Sequence, residues 1–236
     1  MSLLRSTHRF LVSQSFYPLV LASFLSLIFF IGRVVYTDSW NYRNLVWNLF
    51  LAWVPYGFSM LAAGIGRLAP RHGWLLILPG VAWLAFFPNA PYIITDFYHL
   101  VLRPPVPLWF DIMLIAIFAF TGFFLAIASL RTMQYLVERH LGKIIGWLFA
   151  IGALGLSGLG VYMGRFGRWN TWDILLHPKP VLKDIAEHVL NPLENPGFTG
   201  FTLMFTAVLF VFYLMFVSMS HPQAAEEPER ENTPIR

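Results

Sequence analysis

Six long apolar segments, at 16–35, 45–63, 72–87, 108–130, 144–163 and 200–219, constrain this chain more than any other feature. A helix needs about 20 apolar residues to cross the ~30 Å hydrocarbon core of a bilayer, and most of these runs reach that length. Lipid offers the backbone no hydrogen-bonding partner, so such segments must be helices that satisfy their own N–H and C=O groups. The fold class that follows is all-α: a polytopic membrane helix bundle of about six transmembrane helices, with short interfacial helices in the outer loops. Composition agrees, because only 12% of residues are charged and the mean hydropathy is +0.62, whereas soluble domains carry roughly 25% charged residues. Residues 1–220 read as a single integral membrane domain. Residues 221–236, rich in Glu and Pro with almost no apolar content, read as a disordered tail. Arg5 and Arg9 precede the first run, but no small-residue cleavage site follows it, and it exceeds the ~7–15 apolar residues of a signal peptide. The first segment is therefore expected to remain as a span.

The third segment departs from the pattern. Pro79 interrupts it and Pro88 stops it early, which puts the Pro88–Pro91 break at, or slightly beneath, one membrane surface. A broken helix persists there only if protein or a water-filled cavity satisfies the freed backbone groups. With six spans both termini share one side, and the loops at 36–44, 88–107 and 164–199 share the other. Nine of the 16 Lys and Arg residues fall on the terminal side and seven on the other. That bias favours cytoplasmic termini in a multi-pass protein of the cell membrane. All five aspartates, Asp38, Asp96, Asp111, Asp173 and Asp184, then lie on the outer side. The chain has no cysteine, which excludes disulfides and thiolate chemistry. Its net charge of +4 reflects few acids rather than a basic run, so no nucleic-acid partner is expected.

Polar and ionisable groups are expensive at a membrane boundary and mark functional candidates there. The run Phe87-Pro88-Asn89-Ala90-Pro91-Tyr92-Ile93-Ile94-Thr95-Asp96-Phe97-Tyr98-His99 is one such place. Pro91 suits the first turn of a helix. An α-helix from Pro91 to Arg103 would line Tyr92, Asp96, His99 and Arg103 along one face. Asp96 and His99, three apart, can share a metal ion, or can act as a base and its orienting partner; with Arg103 they can equally form a local ion-pair network that fixes the loop. Asp111, about one turn inside the fourth span, either faces the bundle interior or is a solvated helix-start carboxylate favoured by the helix dipole. Asp96, His99 and Asp111 are the candidates for catalysis, and Asp96 and His99 also for a metal.

A second polar cluster is Gly164-Arg165-Phe166-Gly167-Arg168-Trp169-Asn170-Thr171-Trp172-Asp173. Two arginines three apart can hold a carboxylate or phosphate by forked hydrogen bonds, or can anchor lipid headgroups. Asn170 and Asp173 have the spacing of an N-cap and its N3 partner, and both also belong with the ligand candidates. Arg103, Arg165, Arg168, Asn170 and Asp173 are thus the substrate-binding candidates. Trp169 and Trp172 suit an interfacial aromatic belt. Gly152, Gly155, Gly158, Gly160 and Gly164 in the fifth span suit close helix packing, and Asn48 in the second span should bond across helices near the outer face. Residues 180–190 have the spacing of a short amphipathic helix on the surface or over the bundle.

At Val46-Trp47-Asn48-Leu49-Phe50-Leu51-Ala52-Trp53-Val54-Pro55, Phe87-Pro88-Asn89-Ala90-Pro91-Tyr92 with Thr95-Asp96, and Gly164-Arg165-Phe166 with Trp169-Asn170 and Asp173, the chain resembles a family of uncharacterised bacterial multi-pass membrane proteins, domain of unknown function 1361. The resemblance covers most of the chain from about Asn44 to Met219. It implies an integral membrane protein of a bacterial envelope and brings no activity, substrate or catalytic residue with it. Three functions follow from the residues. The first is an outward-facing polar site that binds or moves an anionic or lipid-linked small molecule. The second is a membrane-embedded hydrolase or transferase acting on a lipid-linked substrate. The third is a non-catalytic envelope assembly subunit. The sequence specifies no cofactor and no oligomeric state.

Overall fold

A computed structural model describes residues 2–169 and 171–220. These form a helical bundle with no strand among the described residues, and six of its helical segments are long and apolar enough to cross a membrane. The protein is a multi-pass membrane protein. An amphipathic helix α1 (Ser2–Ser13) leads into α2 (Phe16–Thr37) and α3 (Arg43–Leu68). The third span, Gly73–His99, is built from pieces: a 3₁₀ turn, α4 (Ile77–Phe86), α5 (Asn89–Tyr92) and a 3₁₀ helix over Ile93–His99. There follow α6 (Leu108–Leu141), α7 (Lys143–Arg165), the short α8 (Thr171–Leu176), α9 (Pro178–Leu190) and α10 (Pro196–Met219). The disordered tail expected at 221–236 lies outside the described residues, as does Asn170.

Helix α6 is the axis of the bundle. Its 34 residues extend about 50 Å at ~1.5 Å each, well beyond the hydrocarbon core. It packs against α2, α3, α7 and the broken third span, burying Leu114, Ile115 and Phe118 completely. Lipid tails are as apolar as leucine, so packing and interhelical hydrogen bonds hold helices together where the hydrophobic effect does not. The bonds are present at several levels: Trp53 Nε1 donates to Ser23 Oγ at 3.0 Å, Thr132 Oγ1 to Gln14 Oε1 at 2.6 Å, and the Tyr213 hydroxyl to Gln134. α10 stands at the edge, packed on α7 and touching α9.

The break in the third span is where the fold makes room for polar residues. Pro91 lacks an N–H, so the Phe87 carbonyl takes the Ala90 N–H at 3.1 Å instead of a bond four residues on. The Phe86 carbonyl accepts the Asn89 side-chain amide at 3.0 Å. Two glycines on other helices let the break sink into the bundle. A Cβ on Gly122 of α6 would sit 2.6 Å from the Ala90 carbonyl oxygen, and one on Gly160 of α7 would sit 2.8 Å from Pro88 Cγ. The expected close-packing role thus holds for Gly160, and for Gly158 and Gly164, which face α10 and Tyr92. Gly152 and Gly155 meet nothing within 4 Å.

Candidate functional site

The α-helix expected from Pro91 to Arg103 is corrected by the structure. The chain runs as a 3₁₀ helix from Ile93 and ends at His99, with Leu100 extended. In a 3₁₀ helix side chains at i and i+3 eclipse, so Asp96 and His99 stand one above the other. Arg103 lies past the end and takes no part in this row. The Thr95 hydroxyl donates to the Tyr92 carbonyl at 2.6 Å, which turns its oxygen toward α7 as an acceptor.

Into this row comes Arg165 from the last turn of α7. Its Nη2 donates to Asp96 Oδ1 at 2.7 Å and to Thr95 Oγ1 at 2.6 Å, and its Nε also donates to Thr95 at 2.9 Å. Its Nη1 donates to His99 Nε2 at 2.7 Å. A guanidinium has no acceptor, so His99 must present an unprotonated Nε2 and carry its ring proton on Nδ1. The Tyr92 ring lies under the same guanidinium, 4.5 Å from Cζ to centroid. From α3, Asn48 Nδ2 donates to Asp96 Oδ2 at 2.7 Å, with Asn44 Nδ2 at 3.4 Å from Oδ1. Asp96 and Arg165 are only 2% and 9% exposed, so a full charge pair is buried, and every arm of it is hydrogen-bonded.

This geometry bears on the chemistry available. Asp96 and His99 are brought together, but the Arg165 guanidinium occupies the space between them where a shared cation would sit. Among the described residues no three His, Cys, Asp or Glu side chains cluster as a metal site. Asp111 is elsewhere. It is fully buried against Arg33 of α2, whose Nε and Nη2 reach its two carboxylate oxygens at 2.6 and 3.1 Å. Arg103 lies over the Tyr42 ring, 5.2 Å from its centroid. Arg168 is exposed, with φ 58°. Asp173 lies in the first turn of α8, with His177 Nδ1 3.9 Å from its Oδ1. The second cluster therefore meets the first through Arg165, and through Thr171, whose hydroxyl accepts from Asn89 Nδ2 at 3.1 Å.

Beside the ion pair lies a groove of about 450 Å³ between α3, α4 and α7. Its body is apolar, with Leu51, Val81, Leu84, Leu156 and Leu159, and its other end presents Asn48, Asn89, Tyr92 and Thr171. Trp169, Val181 and Ile185 close it from the side of α8 and α9. Trp169 Nε1 donates to Asp184 Oδ2 at 2.6 Å, tying that loop to α9. Asn48 and Tyr92 belong to both places, so the ion pair backs the groove wall. Asn89 reads in the sequence only as part of the turn, Thr95 and Thr171 stand in the polar runs with no role of their own, and Tyr42 and Arg33 are not among the sequence candidates. Arg33 carried a usable signal, a charge inside an apolar run, which in lipid demands a partner.

Residues 47–215 match the family described as protein of unknown function (DUF1361). No curated protein and no solved structure matches the chain.

Proposed function

The chain belongs to this family of unknown function, DUF1361, and from that premise we propose that it is an integral membrane protein that binds an amphipathic, lipid-linked molecule in the groove between α3, α4 and α7. One observation carries the reading: a single cavity joins an apolar body to a polar end. Its volume of about 450 Å³ is in the range of small-molecule sites, roughly 300–1,000 Å³. The apolar part takes hydrocarbon, and Asn48, Asn89, Tyr92 and Thr171 read the head. These are uncharged groups. Arg165 is neutralised by Asp96 and held by Thr95 and His99, so it acts as a rigid backing and not as a free anion clamp. Arg168, exposed next to Trp169, offers a cation to any charged portion of the head.

Binding is favoured over hydrolysis or transfer by the same bonds. For His99 to take a proton at Nε2 the guanidinium that it holds would first have to leave, and Asp96 already accepts from Arg165 on one oxygen and from Asn48 on the other. On this reading the protein sits in the cell membrane with both termini cytoplasmic and the Asp96–Arg165 end outward, in keeping with the nine-to-seven distribution of basic residues.

The test is an untargeted lipid comparison of cells carrying the wild-type chain, a deletion, and Leu159→Trp or Val81→Trp, which fill the groove from opposite walls. The filled variants should reproduce the lipid profile of the deletion. Filled variants that are stably inserted and give the wild-type profile would remove the groove from the function.

A further inference from the structure

The four polar residues of the groove differ in what they have left to offer a ligand. Asn48 meets the Asp96 carboxylate at 2.7 Å, and Asn89 meets the Phe86 carbonyl at 3.0 Å. Both partners are oxygens that only accept, so the amide nitrogen faces them in each case and the amide oxygen is left over. Among the described residues neither Asn48 Oδ1 nor Asn89 Oδ1 receives a hydrogen bond, and neither is one of the polar atoms buried without a partner. Both are therefore open acceptors on residues that line the groove. The Tyr92 hydroxyl is free and accessible in the same sense. Thr171 accepts from Asn89 and keeps its own proton for another partner.

A head group at this end must donate to two carbonyl oxygens and accept from Thr171, while the Tyr92 hydroxyl takes either role. Hydroxyl groups do both. A phosphate brings only acceptors and negative charge. Among the described residues no Lys, Arg or His lines the groove, and the Asp96 carboxylate stands behind Asn48. An oxyanion there would face the amide oxygens with no cation to answer it. Trp47, Tyr92 and Trp169 also line the groove, and their flat rings suit the C–H face of a sugar whose edge carries the hydroxyls. Resting on the reading that this groove is the binding site, we propose that its ligand is a neutral glycolipid. Its sugar is joined to the lipid without a phosphate, and the sugar hydroxyls bond to Asn48, Asn89, Tyr92 and Thr171.

The experiment is a titration of the purified full-length chain in a polyoxyethylene detergent, which carries no sugar, read by native mass spectrometry. The probes share the same acyl chains: glucosyl diacylglycerol, that lipid with its sugar hydroxyls methylated, diacylglycerol, and phosphatidylglycerol. The glucosyl lipid should bind about tenfold more tightly than each of the others, which is about what one or two hydrogen bonds contribute. Methylation keeps the acceptors and removes the donors, so full affinity in the methylated lipid would overturn recognition by the amide oxygens. Tyr92→Phe and Thr171→Val should each weaken the glucosyl lipid about fivefold and leave diacylglycerol unchanged. A packing role alone would shift both lipids alike. Leu159→Trp should block every probe. Phosphatidylglycerol bound as tightly as the glucosyl lipid, with Leu159→Trp still blocking both, would overturn the neutral head and leave the groove as a lipid site. Glucosyl lipid binding that survives Leu159→Trp would instead overturn the groove itself, and the head with it.

Discussion

Two arginines in this bundle face one carboxylate each, and their surroundings set different roles for them. Arg165 shares its bonds among Thr95, Asp96 and His99 from a single 3₁₀ row, so it fixes the C-terminal end of the third span to α7. Arg33 holds Asp111 alone, and the pair is essentially without exposure. Removing one member of a buried pair strands the other charge at a cost of about 3–5 kcal/mol, while replacing both with apolar residues is often neutral. Arg33→Met should therefore lower the unfolding free energy in detergent by roughly that amount, and Arg33→Met with Asp111→Leu should recover most of it. A double variant as unstable as the sum of the singles would deny the coupling. The sequence made Asp96, His99 and Arg165 visible because each is polar beside an apolar run. It grouped Asp96 and His99 with Arg103, because an α-helix from Pro91 would align the three, whereas the 3₁₀ helix over Ile93–His99 leaves Arg103 out and Arg165 takes its place. Arg33 and Asp111 each stood inside an apolar run, and only the packing of α2 on α6 makes them partners.

Among the elements, the broken third span decides where the site can be. Its prolines were legible as a break, and Asn89 as part of the turn. That the break sinks against α6 was not legible, because it depends on a glycine 31 residues from Pro91. Gly122 is one residue in a long apolar run, and nothing local distinguishes it from a glycine that faces lipid. Gly152, which does face open space, reads the same way. Gly122→Ala should drive a methyl group into the Ala90 carbonyl and the Ile93 side chain, an overpacking that costs about 1–3 kcal/mol. Gly152→Ala should be neutral or stabilise by up to about 1 kcal/mol, since alanine is the better helix former. Thermal unfolding of the two variants in the same detergent separates them, and equal midpoints would show that the close approach at Gly122 is not maintained in the protein. The 3₁₀ row, the Asn89 bonds and the Thr171 contact all hang on this approach, so the Gly122 variant should also weaken ligand retention in the groove.

For the whole molecule, the apolar runs and their lengths made the all-α membrane bundle legible, since hydrophobic length is a property of sequence alone. The groove was not, because a cavity is a property of helices packed together. The absence of cysteine in the sequence makes orientation directly measurable. A single cysteine replacing Lys183 in the exposed face of α9 should react with a membrane-impermeant maleimide in intact cells, whereas one replacing Arg67 or Lys143 should react only after lysis. The reverse pattern would turn the Asp96–Arg165 end toward the cytoplasm. With that orientation, α9 and Trp169 cover a groove whose polar end is at the outer interface and whose apolar body faces the membrane. The most direct measurement of the central claim is the composition of lipid-soluble material that stays with the purified protein, compared with a total lipid extract of the same membranes. The expected result is one amphipathic species enriched to about one molecule per chain, absent from Leu159→Trp and Val81→Trp proteins that keep the wild-type unfolding midpoint. Retained lipid that merely mirrors the bulk extract, or that is unchanged when the groove is filled, would contradict it.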